Sequence, residues 1–191
     1  MKEYFKLYIK NMVCDRCKLV VRQEFEKIGV EPVEVRLGEV DLTAHPDAPT
    51  IEIIRQCLQK LGFELLDDKK EKLIEQIKNI VIQLIHHDSS PGSDINLSEY
   101  IAGKLNRDYN FLSHLFSSTE GITLEKYIIL QKVEKVKELL VYDELTLSEI
   151  AWQLGYSSVQ HLSAQFKKIT GLTPSHFKEI KAEKRKSLDK I

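Results

Sequence analysis

No apolar run in this chain reaches the ~18 residues that a membrane-spanning helix needs, so no membrane partner is expected. The opening residues, Met1-Lys2-Glu3-Tyr4-Phe5, also lack the apolar stretch and small-residue cleavage site of a secretory signal. Cysteine is scarce: there are 3 in 191 residues, and two of them share one C-x-x-C. That count excludes a disulfide framework and leads us to expect the reducing cytoplasm. An excess of one charge is missing as well, with 28 Lys and Arg against 29 Asp and Glu. No global basic surface therefore announces a nucleic-acid partner.

The charge that is present is unevenly placed. Glu71 to Phe166 holds 8 basic and 13 acidic residues, whereas Lys167 to Ile191 holds 8 basic and 3 acidic. The basic end can approach phosphate, although residues 181–191 also read simply as a solvated basic tail. A hydrophobic fraction of 42% with 30% charged is ordinary for a globular protein of one or two domains.

Residues 1–66 show a period of two broken by two helical stretches. Tyr4 to Met12 alternates like a strand. Cys17 to Ile28 reads as a helix with Leu19, Val20, Phe25 and Ile28 inward, ended by Gly29. Val33, Val35 and Leu37 alternate up to Gly38, and Val40 and Leu42 alternate after it, which is a hairpin. A second helix carries Ile51, Ile54, Leu58 and Leu61, Gly62 closes it, and Phe63 to Leu66 forms a last strand. The order is βαββαβ, an α+β domain of ferredoxin-like type with two helices on one face of a sheet.

Residues 67–72 form a charged bridge without Pro or Gly, and a helical bridge is expected there. The next helix carries Leu73, Ile77, Ile80, Val81 and Leu84, with His86 and His87 in its last turn as caps for its carbonyls. Ser89 to Asp94, containing Pro91-Gly92, reads as a loop.

The second half repeats itself. Ile101-Ala102-x-x-Leu105-Asn106 returns 49 residues later as Ile150-Ala151-x-x-Leu154-Gly155. Leu112-Ser113-x-x-Phe116, Gly121 and Thr123 return 50 residues later as Leu162-Ser163-x-x-Phe166, Gly171 and Thr173. The one-residue slip falls in a turn, where an insertion perturbs least. Each copy is a helix, a tight turn and a second helix, and a long helix from Leu124 to Leu140 joins them. Asn96 with Glu99 and Thr146 with Glu149 have capping-box spacing. Leu112, Phe116, Leu162, Phe166 and Trp152 are assigned to the core. The architecture expected for 73–180 is all-α, with two helix-turn-helix subdomains.

The stretch Ile150-Ala151-Trp152-Gln153-Leu154-Gly155-Tyr156-Ser157-Ser158, with Leu162, Phe166-Lys167-Lys168, Gly171, Thr173-Pro174 and Phe177, resembles the signature of AraC-type transcription regulators. The likeness runs from about Leu73 to Lys178. It implies recognition helices near Asp108–Ser118 and Ser158–Ile169, entering successive major grooves about 34 Å apart. Carried over by position, the residues facing double-stranded DNA are Tyr109, Asn110, Ser113 and His114, then Val159, Gln160, Ser163 and Ala164. Asn and Gln can bond adenine in two places. Family members often carry Arg where His114 and Ala164 stand, so the commonest guanine contact is missing here.

Met12-Val13-Cys14-Asp15-Arg16-Cys17 lies between the first strand and the first helix. A helix N-terminus favours thiolate, and two thiolates on one loop can hold a soft ion such as Cu(I), Ag(I), Hg(II) or, less well, Zn(II). M-x-C-x-x-C within βαββαβ, closed by Leu61-Gly62-Phe63, resembles the heavy-metal-associated domain of copper chaperones. That resemblance implies Cys14 and Cys17 as ligands of a soft metal ion, most naturally Cu(I), with Met12 as a buried anchor and Phe63 beside the loop. Asn11 replaces the family's usual Gly and can adopt the same left-handed backbone. Cys57 is assigned to the core.

The two resemblances together predict a metal-responsive DNA-binding regulator without enzymatic activity, and a homodimer bridged by a shared ion is possible on chemical grounds. The alternatives from other classes are a thiol–disulfide redox protein using the Cys pair and a metal-carrying interaction protein that does not bind DNA.

Overall fold

A computed structural model describes residues 4–87 and 96–184, and the chain divides into two compact units, Met1–Ile80 and Val81–Ile191. The loop expected at Ser89–Asp94 and the tail beyond Lys184 lie outside the described residues.

The first unit runs β1 (Phe5–Lys10), α1 (Asp15–Lys27), β2 (Glu34–Arg36), β3 (Glu39–Leu42), α2 (Ala48–Lys60) and β4 (Glu64–Leu66), followed by α3 (Lys69–Ile82), which continues past the end of the unit. The strands lie in the order β2-β3-β1-β4 with every neighbour antiparallel. Pairing of Leu7 with Val40 and of Ile9 with Leu65 sets the register. Because side chains alternate across a strand, this register puts Leu7, Ile9, Val35, Val40, Leu42 and Leu65 on one face. Val21 and Phe25 of α1 and Ile54 and Leu58 of α2 close over that face, and Met12 joins them with no exposure. Asp47 starts α2 by accepting the Thr50 N–H at 2.9 Å.

Several details of this unit differ from the sequence reading: Leu61, read as part of the inner stripe of the second helix, is 41% exposed at its C-cap, and α1 begins at Asp15 rather than Cys17. The first strand begins at Phe5, and Tyr4 is exposed outside it. Leu19 is 57% exposed rather than inward. The inner stripe of α1 is Cys17, Val21 and Phe25 at helical spacing, and Leu19 lies about 200° around the helix from Val21.

The last four residues of the 67–72 bridge are already helical. Asp68 caps α3, its carboxylate accepting the N–H groups of Lys70 at 2.7 Å and Glu71 at 3.2 Å. Helix α3 then covers the sheet face that α1 and α2 leave open. Lys72 stands over the Tyr8 ring, Gln76 donates to Glu39 at 2.9 Å, and Asn79 lies against the hairpin turn at Gly38.

The second unit opens on the end of α3 and a π-helical turn, Gln83–His87. Then follow α4 (Leu97–Leu105), α5 (Tyr109–Glu120), α6 (Leu124–Tyr142), α7 (Leu147–Gln153), α8 (Val159–Thr170) and α9 (Pro174–Lys184). His86 does not cap a carbonyl with its ring. Its Nε2 meets Gln131 Oε1 of α6 at 2.9 Å, and Lys135 instead donates to the His86 carbonyl.

Thr146 and Glu149 form a full capping box on α7. Asn96 accepts the N–H groups of Ser98 and Glu99, but Glu99 takes the Asn96 side-chain amide rather than its backbone N–H, so the first box is only half made. Trp152 is 58% exposed, because Ile150, Ala151 and Leu154 occupy the inner side of that short helix.

Candidate nucleic-acid interface and metal centre

The two helix-turn-helix copies turn on equivalent residues. Asn106 ends α4 in the left-handed conformation at φ 48°, and Gly155, its partner in the repeat, stands at φ 67° after α7. Asp108 then caps α5 and Ser158 caps α8, each side chain accepting an N–H three residues on. Between Gly155 and α8 lies one residue more than between Asn106 and α5, which is where the repeat slips.

In α5, Leu112 and Phe116 are buried, and in α8 Leu162 and Phe166 take the same places. That fixes the opposite face of each helix outward. Asn110 and His114 are exposed with Tyr109 and Ser113 half-buried beside them, and Gln160 and Ala164 are exposed with Val159 and Ser163 beside them. The eight residues named from the sequence thus fall on two matching outward stripes.

One residue beside these stripes was missed, and a second was read from the sequence as solvent-facing rather than as a contact. Phe111 is 52% exposed, and His161, its partner 50 residues later, is exposed as well. An apolar residue on an amphipathic helix is naturally assigned inward, and only the repeat, which pairs Phe111 with a polar residue, signals otherwise.

The second turn is built on Tyr156. Its hydroxyl donates to Gln165 Oε1 at 2.7 Å, and burial pushes its pKa up to about 12. The His161 ring meets it edge-on at 5.4 Å, and Ser157 Oγ lies 3.1 Å from His161 Nδ1. Lys132 of α6 stacks over the same ring at 5.4 Å, and burial lowers its pKa. Exposed Lys167 and Lys168 end α8, whereas α5 contains no Lys or Arg. Positive charge is therefore concentrated on α8 rather than α5.

In the first unit the Cys pair occupies the loop between β1 and α1. Asn11 opens the loop at φ 73°, the left-handed conformation expected of it, and Met12 is buried beneath. Cys14 is the N-cap of α1 and Cys17 lies in its first turn, with both half-buried and their sulfurs 3.3 Å apart. The Cys17 backbone N–H, then the Cys17 thiol, hold the Cys14 thiol below the ordinary range. Met12, Cys17 and Phe63 meet the same hydrophobic core, and the Asn11 side chain donates to the Gly62 carbonyl at 3.1 Å, tying the turn before Phe63 to the loop. Cys57 is half-buried on α2. Among the described residues no group of three or more His, Cys, Asp and Glu could hold a metal ion. The donor set of the loop is two soft sulfurs, one of them biased toward thiolate, which fits a soft ion of low coordination number.

Comparison with known proteins bears on the second unit. A family model described as a helix-turn-helix domain matches residues 101–180. An uncharacterized HTH-type transcriptional regulator of Bacillus subtilis is 27% identical over 158 residues, covering 81% of this chain and 20% of that protein. Another, from the region 5′ of cgkA in Pseudoalteromonas carrageenovora, is 28% identical over 145 residues, covering 74% of this chain and 82% of that protein. The chain thus spans a fifth of the first relative's length and most of the second's. A DNA-binding transcriptional dual regulator from Escherichia coli K-12 shares the fold, with a TM-score of 0.50 at 17% identity over 62% of this chain and all of that one. Residues 101–180 thus match a helix-turn-helix domain family, and the relatives that share this stretch are described as HTH-type transcriptional regulators.

Proposed function

We propose that this protein is a transcription regulator whose binding to DNA responds to a soft metal ion, Cu(I) in the first instance. The observation that carries the DNA-binding part is the pair of matching outward stripes on α5 and α8. Each is held by a buried Leu and Phe beneath it, so that Asn110, His114, Gln160 and their neighbours can meet base edges and phosphates. No step of catalysis is assigned to the chain.

Metal would be held by Cys14 and Cys17 on a heavy-metal-associated, ferredoxin-like domain. Deprotonated, the two sulfurs would coordinate the ion, so that uptake would release protons and hold the two side chains together. Met12 anchors the loop from below and Phe63 flanks it. Both cysteines are only partly buried, which is compatible with a second chain's sulfurs reaching the same ion. Two chains sharing an ion would form a bridged homodimer, which sedimentation at half an equivalent of Cu(I) would detect as a doubled mass.

The test is selection of duplex DNA at low salt with the purified chain, together with Cu(I) titration under reducing conditions. One Cu(I) per chain is expected, lost in Cys14→Ser and in Cys17→Ser but kept in Cys57→Ser. Failure to enrich any sequence removes the regulator reading, and full Cu(I) uptake by the double serine variant removes the metal site.

A further inference from the structure

We propose that Glu75 of α3 is a positioning residue for the metal loop, and that through it the state of the Cys pair is felt by α3. This rests on the metal-binding reading above and adds the residue that would transmit it.

Glu75 is 6% exposed, although it is a carboxylate. A buried carboxylate is retained only where it is well bonded, because desolvation otherwise drives it to neutralise or to leave the interior. Its Oε1 accepts the backbone N–H of Asn11 at 3.2 Å, bridging 64 residues of sequence. Asn11 is the first residue after β1. It is left-handed, its side chain is tied to the Gly62 carbonyl, and it directly precedes the buried Met12. Three constraints of different origin therefore meet on one residue at the base of the Cys14–Cys17 loop. Only the bond to Glu75 comes from outside the βαββαβ core.

The rest of the contact shows why α3 can respond. Lys72, Glu75, Gln76 and Asn79 share one side of the helix, at the three- and four-residue spacings that align on a face. They meet Tyr8, Asn11, Glu39 and Gly38 respectively. A Cβ built on Gly38 would come within 1.9 Å of Asn79 Nδ2, so the approach is close. Asn79 Oδ1 is buried with no hydrogen-bond partner among the described residues. Polar docking that leaves such an atom unpaired is held by less than an apolar interface would be, and a small change at Asn11 can shift its balance. Metal binding fixes the loop that Asn11 opens, so the two loop states differ in how well the Asn11 N–H meets Glu75.

The experiment compares the full chain as wild type, Glu75→Ala and Glu75→Gln. Cu(I) affinity is measured by competition with a chromophoric chelator, and amide hydrogen exchange across α3 is measured with and without Cu(I). In wild type, Cu(I) should change exchange over residues 69–80. Glu75→Ala should weaken Cu(I) binding by about tenfold, the scale of one hydrogen bond to a charged group, and should abolish that exchange change. Glu75→Gln, whose amide oxygen still accepts the Asn11 N–H, should keep both to within about threefold. The Asn11 amide resonance in wild-type protein needs no variant and must move on Cu(I) addition. Cu(I) uptake at the Cys pair with a stationary Asn11 resonance, or with wild-type behaviour in a folded Glu75→Ala, overturns the proposal alone. A wild type that takes up no Cu(I) overturns the metal reading, and this proposal with it.

Discussion

Cys14 ends the loop after β1 and begins α1, so its sulfur lies where the first helical N–H groups have no intrahelical acceptor. Because the Cys17 N–H is the larger cause of its lowered pKa and the Cys17 thiol the smaller, Cys17→Ser should raise the Cys14 value only part of the way. An ultraviolet thiolate titration of the variant against wild type reads this, and an unchanged Cys14 value would remove the Cys17 sulfur from the account. The depressed value favours the folded state at pH above the thiol's unfolded pKa, and that gain is lost as pH falls through the folded one. The stability difference between wild type and Cys14→Ser should therefore shrink on acidification through that window. The residues of this loop were legible in the sequence, since M-x-C-x-x-C and Asn11 announce a left-handed turn into a helix. Glu75 was not legible as a neighbour of the loop: nothing local pairs position 75 with position 11, and a Glu in a charged helix reads as solvated until the helix is seen docked.

At the scale of elements, the recognition helices separate two roles that a sequence alone blurs. Asn110→Ala and Gln160→Ala should leave the fold intact and relax base preference, each weakening the preferred duplex by about 1–3 kcal/mol if the side chain makes a bidentate base contact. Leu162 has no exposure, and Leu162→Ala should instead destabilise the second unit by about 2–5 kcal/mol. Binding to a panel of single-base variants, beside denaturant unfolding, distinguishes them; equal weakening on every sequence would reassign Asn110 and Gln160 to backbone positioning. The caps read from the sequence at Asn96 and Thr146 are present, and Asp108, Thr123 and Ser158 also accept the N–H expected of an N-cap. The faces of short helices followed less well. Trp152 is large and apolar, and in a helix of 7 residues the inner stripe needs so few positions that size alone misassigns it.

For the whole molecule, a unit that matches a helix-turn-helix domain family follows a small sheet domain whose open face is covered by the helix leading onward. The tie proposed between metal and DNA would be a coupling free energy between two sites. The direct measurement is the affinity of the chain for its selected duplex, by fluorescence anisotropy, with and without one equivalent of Cu(I) under reducing conditions. The account predicts a change of about 5–150-fold that disappears in the Cys14→Ser, Cys17→Ser double variant, with Cu(I) affinity changing by the same factor when the duplex is present. Equal DNA affinity with and without bound Cu(I) would contradict it.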